Sequence, residues 1–393
     1  MAKPDGPAEP RWHRTVVSVD RDAIGHNVRQ LSPPGVPVMA MVKGDAYGHG
    51  AIEAAATAVA AGARWLGVAL VQEGLRLRQA GFAVPIFVST ELPAGSEVDA
   101  VRADLRISVH TDDGLLRLAD AARALDRPVG AHLAVDTGLA RAGVAGHDAV
   151  GFAGRLARAG LRLDGVWTHL AKSEDIDSFT ARQLDRFDEV LAGLHAGGHR
   201  PVLRHAANTA AVLAWPRSHL DLVRPGIGLF GAILNAGLSG ADALRPALTW
   251  RSRVVQTSRL RAGQGVSYGL TYRVAGPATV ATVAVGFADG YPRQLSNRGE
   301  VLIRGRRYPV AGVIAMDQLT VDVGDDPVAP GDEVVLIGRQ GEQSITVAEV
   351  ADWAGTIPDE VFCGISARVP RDYVGSPPPA EVFKTHQLGV SRS

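Results

Sequence analysis

From about residue 36 to residue 226, short β-branched and aliphatic runs alternate with alanine-rich stretches whose apolar positions recur at helical spacing. The runs that read as strands cover 38–42, 66–69, 85–88, 105–109, 129–135, 163–168, 202–205 and 221–224. Between them, segments such as AIEAAATAVAAGA and FTARQLDRFDEVLAGLHAGG carry one apolar face each. Eight strand–helix units in about 190 residues predict a (β/α)8 TIM-type barrel. A doubly wound sheet is the competing architecture, but it more often stops at fewer strands. Beyond about Arg245 the pattern changes. ALTWRSRVVQTSRL, ATVATVAVG, EVLIRGRRYPVAGV, QLTVDVG and DEVVLIG are strands separated by Gly, Pro and Asp turns, with little helical periodicity. The expected organisation is a disordered N-terminal tail over 1–14, a barrel over 15–244 whose first strand is free to join the second domain, an all-β domain over 245–374, and a tail over 375–393.

Composition narrows the class without naming a chemistry. With 393 residues, 46% of them hydrophobic, the chain can bury a large core without staples. Its 41 basic and 41 acidic residues cancel, so nothing suggests a nucleic-acid or anionic-membrane partner. The single cysteine, Cys363, excludes an intrachain disulfide and a cysteine-based zinc cluster, and no metal site is expected. The opening MAKPDGPAEPRWHR lacks the apolar core of a signal peptide, and no stretch approaches the ~20 apolar residues of a membrane span. A soluble cytoplasmic protein is expected.

One count sharpens the search. Of the 41 basic residues only Lys3, Lys43, Lys172 and Lys384 are lysines, and Lys3 and Lys384 lie in the tails. Catalytic groups of a (β/α)8 barrel sit at the C-terminal ends of its strands. The first strand runs into Lys43 and GDAYGHG, the fifth into Asp136, Thr137 and Arg141, and the sixth into His169. The seventh runs into His205, Asn208 and Thr209, and the eighth into Arg224 and PGIG. Singly, each has a bland reading: a lysine past a strand is usually a solvated charge, and paired glycines usually permit a turn. Lys172, in the polar AKSED, is expected to face solvent. Together, the glycines and the Asn208–Thr209 helix start suit a phosphate, which barrels often bind after strands seven and eight. A lysine, a phosphate cradle and an arginine on one rim point to pyridoxal 5′-phosphate, with Lys43 as the Schiff-base lysine.

At this point the residues match a family. MVKGDAYGHG resembles the cofactor-lysine signature of the alanine racemases, fold-type III enzymes with a barrel followed by a β domain. The resemblance continues through VDTGLARAG, THLAKSED, HAANTAAVL, VRPGIGLFG, VSYGLTY, VGFADGYPR, VAGVIAMDQLTVDVG and SARVPRDYV, from about Val38 to Val374. It implies a cytoplasmic homodimer that interconverts L- and D-alanine for cell-wall biosynthesis. By the resemblance, Lys43 holds the cofactor and moves a proton on one face of the substrate Cα, and Tyr268 does so on the other face from the partner subunit. Tyr47, Thr209, Gly226 and Ile227 are then phosphate-side residues, and Arg224 faces the pyridine nitrogen. Arg141 positions the cofactor's phenolic oxygen and the substrate carboxylate. His169 lies under the ring, and Met316 and Asp317 approach the carboxylate from the partner. Racemisation needs an acid and a base on opposite faces, and a tyrosine serves as base only where positive charge favours phenolate.

The sequence also departs from the family pattern. Ala134 stands where many relatives carry a carbamylated lysine that holds the arginine of the DTG segment. Asp359 in TIPDE replaces a tyrosine, and Phe230 and Phe287 stand where tyrosine is common. Ala315 replaces a cysteine, and Ser173 replaces an acid. These changes keep open a racemase of serine or a larger amino acid on the same scaffold. A non-catalytic pyridoxal-phosphate protein and a decarboxylase of the same fold type also stay open. Tyr268 and the β domain count against the non-catalytic reading.

Overall fold

The computed structural model describes residues 14–175 and 178–383. The tail expected over 1–14 lies outside the described residues apart from Arg14, as does the stretch after Phe383. The chain divides into two compact units. One comprises Asp20–Ala247 with the segment from Val374, and the other comprises Leu248–Tyr373 with the segment up to Val19.

The first unit is a (β/α)8 barrel. Met39–Met41, Trp65–Val68, Ile86–Val88, Leu105–Val109, Gly130–Asp136, Arg162–Trp167 and Leu203–His205 pair in parallel, in chain order. Residues 221–225 close the ring against the first strand. Val38 bridges Val223 in parallel, and the N–H groups of Met39 and Met41 donate to Val223 O (2.8 Å) and Pro225 O (3.0 Å). This last stave is irregular because Pro225 has no N–H to give the ladder. The first and third strands are buried throughout, as parallel strands covered on both faces must be. Asp20 and Thr111 accept N–H bonds from Ala23 and Gly114 and so cap the helices Arg21–Gln30 and Asp112–Ala124. Residues 375–383 lie on this unit's outer helices: Arg21 and Ser376 bond Gly375 and Asp22, and the rings of Phe82 and Phe383 stand 5.4 Å apart.

Polar side chains fill part of the barrel interior. Phe87, His132, Trp167 and His205, from strands three, five, six and seven, cluster there, with the Phe87 and His205 rings each 5.0–6.0 Å from the other three. Gly165 makes this possible, since a Cβ there would overlap the His132 ring.

The second unit is built on antiparallel strands. Leu248–Leu260 is its spine. Its first half pairs with Val16–Asp20 and Glu333–Gln340, and its second half with Ala278–Val283. A register shift between Val254 and Gln256 marks where the partner changes, as a bulge does when it bends a strand. Trp250 and Tyr291 are wholly buried and pack edge to face. Full burial of a side chain of Leu, Ile or Phe size in such a core stabilises by roughly 1.5–3 kcal/mol. Little helix was expected in this half, yet Val347–Ala354 and Pro358–Gly364 are helices. The first is set by a reciprocal cap. Thr346 Oγ1 accepts the Glu349 N–H (3.1 Å), Glu349 accepts the Thr346 N–H (2.8 Å), and Gly355 ends the helix at φ +71°. Among the described residues no helix is long and apolar enough to cross a membrane.

Candidate active site

The first barrel strand ends in an unusual turn. Gly44, Asp45, Ala46 and Tyr47 all have positive φ, between 52° and 61°. They form a left-handed turn directly after half-buried Lys43, closed by Ala46 N–H to Val42 O and Gly48 N–H to Gly44 O, both 2.9 Å. For non-glycine residues this handedness costs roughly 1–2 kcal/mol each. The turn buries Tyr47 5.5 Å from the Phe230 ring, with Lys43 Nζ 6.0 Å from the centre of the Tyr47 ring.

Tyr47 is thereby placed against the loop after the last stave. A Cβ at Gly226 would overlap the Tyr47 hydroxyl, so only glycine lets the two approach. Thr209 Oγ1 accepts the N–H groups of Gly226 (3.0 Å) and Gly228 (3.3 Å). Ile227 opens the single turn Ile227–Phe230. Asn208 Oδ1 accepts the Ala211 N–H (3.1 Å) and the hydroxyl of buried Ser173 (2.8 Å). Tyr47, Asn208, Thr209, Gly226 and Ile227 thus gather around one small, donor-rich corner.

Arg224 is almost wholly buried, and its partners are imidazoles and carbonyls. Nη1 donates to His205 Nδ1 (3.0 Å), and Nη2 donates to Thr168 O (2.8 Å) and Ala206 O (3.1 Å). A longer contact of 3.5 Å reaches His169 Nδ1. Burial pushes the guanidinium down to about 9, so it stays cationic at neutral pH. This geometry fixes the tautomers. His205 accepts at Nδ1, so its Nε2–H donates to His132 Nδ1 at 2.9 Å, and both rings are neutral. Burial holds His132 down to about 4 and His205 well below its ordinary range. Burial, with the positive charges of Arg224, Arg141 and Lys43, lowers His169 to about 3.

Arg141 stands on the loop after strand five. Asp136 Oδ1 shapes that loop by accepting the N–H groups of Gly138, Leu139 and Ala140 at 2.8–3.2 Å. The guanidinium is exposed and makes no hydrogen bond or ion pair among the described residues. Ala134, on the same strand, is paired with Trp167, whose Nε1–H donates to Ser108 Oγ (2.8 Å), itself 2.9 Å from His110 Nε2. The rings of His110 and Trp167 meet edge to face at 6.0 Å. Lys172 is exposed and pairs with Asp175 at 3.1 Å.

Tyr268, Met316 and Asp317 belong to the β unit. Tyr268 is 71% exposed on a turn anchored by Ser267 Oγ–H to Val313 O (2.5 Å). Met316 is 56% exposed, and the Asp317 carboxylate accepts from Arg368 Nη2 at 2.8 Å. Arg368 Nε in turn lies 3.0 Å from the buried Asp289. Asp359 falls in the first turn of Pro358–Gly364.

Sequence reasoning missed several residues that order this rim. His132 and Trp167 are interior strand positions that looked like ordinary core. Gln183 is fully buried and donates to Thr137 Oγ1 (3.3 Å) and His169 O (3.2 Å), tying two rim loops to the helix Ser178–Ala196. Its signal was an amide on the apolar face of that helix.

Comparisons with known proteins agree with one another. Residues 19–233 match the family described as alanine racemase, N-terminal domain, and residues 247–373 match alanine racemase, C-terminal domain. The alanine racemase of Symbiobacterium thermophilum is 45% identical over 93% of this chain and 97% of its own length. That of Halothermothrix orenii is 42% identical over 88% and 93%. Among solved structures, alanine racemase from the D-cycloserine-producing Streptomyces lavendulae superposes with a TM-score of 0.89 at 38% identity, covering 93% of this chain and 98% of that one. The Bacillus anthracis enzyme, solved with bound L-Ala-P, gives 0.87 at 34% identity over 93% and 96%. With both domain families matched in order and relatives aligned over nearly their full length, the chain belongs to the alanine racemase family.

Proposed function

We propose that the protein is a pyridoxal-phosphate-dependent racemase that interconverts L- and D-alanine with Lys43 and Tyr268 as its two proton-handling groups. The carrying observation is the rim itself. A buried cationic arginine, whose partners among the described residues are imidazoles and carbonyls, lies on the same rim as Lys43 and a glycine-lined corner where Tyr47, Thr209 and the Gly226 backbone meet. That donor set fits a phosphorylated pyridine aldehyde: Tyr47, Asn208, Thr209, Gly226 and Ile227 would hold the phosphate, Lys43 the aldehyde carbon, and Arg224 the ring nitrogen. When bound, the cofactor supplies an electron sink conjugated to the substrate Cα. Arg224 offers that ring an N–H rather than a transferable proton, which keeps the sink weak and disfavours side reactions such as transamination.

The chain's own groups do the rest. The Lys43 amine takes or returns the Cα proton on one face, and the Tyr268 phenol oxygen returns or takes one on the other. Arg141 binds the substrate carboxylate, with Met316 and Asp317 lining the approach. His169, kept neutral, does not add charge beneath the ring. We read the assembly as a cytoplasmic homodimer whose sites are shared between subunits. Support comes from the exposed apolar side chains of Tyr268, Leu270, Phe287 and Met316, carried on segments that Val313, Ala315 and Met316 link by hydrogen bonds.

A panel of L-amino acids in deuterium oxide tests the substrate. Alanine should gain deuterium at Cα fastest and appear as both enantiomers. Exchange of serine, lysine or arginine at an equal rate would replace alanine as the substrate, the reading that Ala134 and the unpaired Arg141 would favour. Borohydride reduction and peptide mapping should label Lys43, and a label on Lys172 would overturn the site.

A further inference from the structure

The left-handed turn after Lys43 contains three non-glycine residues at positive φ: Asp45, Ala46 and Tyr47. Each is strained in that region, and such strain persists only where surrounding contacts over-determine the backbone. At the far end, His49 supplies such contacts. Its Nδ1 faces two carbonyl oxygens, Tyr47 O at 2.9 Å and Ala46 O at 3.1 Å, so that nitrogen carries the proton and donates. The His49 ring stacks on Phe230 at 4.2 Å, anchoring this end of the turn to the glycine loop.

The end next to the lysine has a different anchor. Glu73 lies in the first turn of the helix Val71–Gln79, two loops away in sequence. Its Oε2 accepts the N–H groups of Leu70 (3.0 Å) and Ala69 (2.9 Å), which is what a glutamate at that helix position ordinarily does. Its other oxygen is not needed for capping. Oε1 accepts the N–H of Gly44, the residue following Lys43, at 2.6 Å. One carboxylate thus ties the lysine turn to the loop after the second strand, through charge-assisted bonds that are stronger than neutral ones.

We propose that Glu73 is a positioning residue for the cofactor lysine, fixing the left-handed turn that aims Lys43. The inference rests on the reading of Lys43 given above. Without the Gly44 bond, the near end of the turn relaxes toward the ordinary right-handed region and the lysine side chain leaves its direction. The far end, with Tyr47 and the glycine loop, stays anchored by His49. Loss of Glu73 should therefore weaken capture of the aldehyde and spare binding of the phosphate.

The test compares two ligands on the full-length apoprotein. Pyridoxal 5′-phosphate can condense with Lys43, releasing water, whereas pyridoxine 5′-phosphate has the same ring and phosphate but an alcohol in place of the aldehyde. In Glu73→Ala, the Kd for the aldehyde should rise at least about tenfold, about 1.4 kcal/mol, with the Kd for the alcohol unchanged and Glu73→Gln between. Equal weakening of both ligands would mean a merely structural role and overturn the proposal, as would no weakening of either. If Glu73→Ala does not fold, the near-isosteric Glu73→Gln carries the same comparison. Failure of the wild-type protein to capture the aldehyde at all would instead refute the assignment of Lys43.

Discussion

Three imidazoles and one guanidinium meet on the inner side of the barrel rim, and their protonation states have a measurable consequence. His132, His205 and His169 are all held below the ordinary histidine range, chiefly by burial. In the unfolded chain each returns to about 6.5 and takes up a proton below that pH. The sign follows: the neutral ring is favoured in the fold, so its stability is fully present above about pH 6.5 and falls as pH drops toward 4. For His132, shifted to about 4, the loss is on the order of 3 kcal/mol. Denaturant unfolding at steps from pH 7 to pH 4 should show this decline, and His132→Leu should make it shallower; a flat profile down to pH 5 would refute neutral rings. Gly226 gives a second expectation at this scale. Gly226→Ala would push a methyl into the Tyr47 hydroxyl, so cofactor affinity should fall at least about tenfold, roughly 1.4 kcal/mol. Equilibrium dialysis checks it, and wild-type affinity would show that the corner has slack. Single residues were unevenly legible in the sequence. Lys43 and Arg224 stood out because lysine is rare and because each follows a strand. His132 and Glu73 did not, because a buried histidine on a strand and a glutamate at a helix start have ordinary explanations; only coordinates show which backbone N–H the second oxygen meets.

At the scale of elements, hydrophobic spacing was informative wherever a run was both apolar and bounded. Parallel strands buried on both faces read as continuous apolar runs, and that is how staves such as Met39–Met41 and Ile86–Val88 could be picked out. The helices Val347–Ala354 and Pro358–Gly364 were passed over because the flanking strands dominate the pattern, although TVAE carries a capping box and Pro358 a helix start. That box should be measurable: Thr346→Ala should lower stability by about 1 kcal/mol. A denaturation midpoint equal to wild type would mean the helix is held by packing alone. A tie between turns makes the other expectation at this scale. Arg368 joins Asp317 to buried Asp289, while Gly286 leaves no room for a Cβ against the carbonyls of Ala315 and Met316. The turn carrying Met316 and Asp317 is therefore fixed from both sides. Arg368→Ala should raise KM for alanine several-fold and change kcat less, with partial rescue by Arg368→Lys. A fall in kcat at constant KM would place Asp317 in the chemical step instead of at the approach.

At the scale of the whole molecule the proposed mechanism divides its two proton-handling groups between the units, Lys43 in the barrel and Tyr268 in the β unit. The sequence could order the two units along the chain but could not say which copies meet, because a partner's surface leaves no periodicity in the sequence. What the fold adds is the 71% exposure of Tyr268 among other exposed apolar side chains. A phenol left so open is a poor place for a proton-handling group that must exclude water, unless another chain covers it. Mixing two dead variants distinguishes the cases. If each site takes its lysine from one copy and its tyrosine from the other, a mixed dimer of Lys43→Ala and Tyr268→Phe holds one site with both lesions and one with neither. After co-refolding in equal amounts, half of the dimers are mixed and half of their sites intact, so activity should recover to about a quarter of wild type. If instead each chain supplies both groups to its own site, every site keeps one lesion, and the mixture should stay as inactive as either parent.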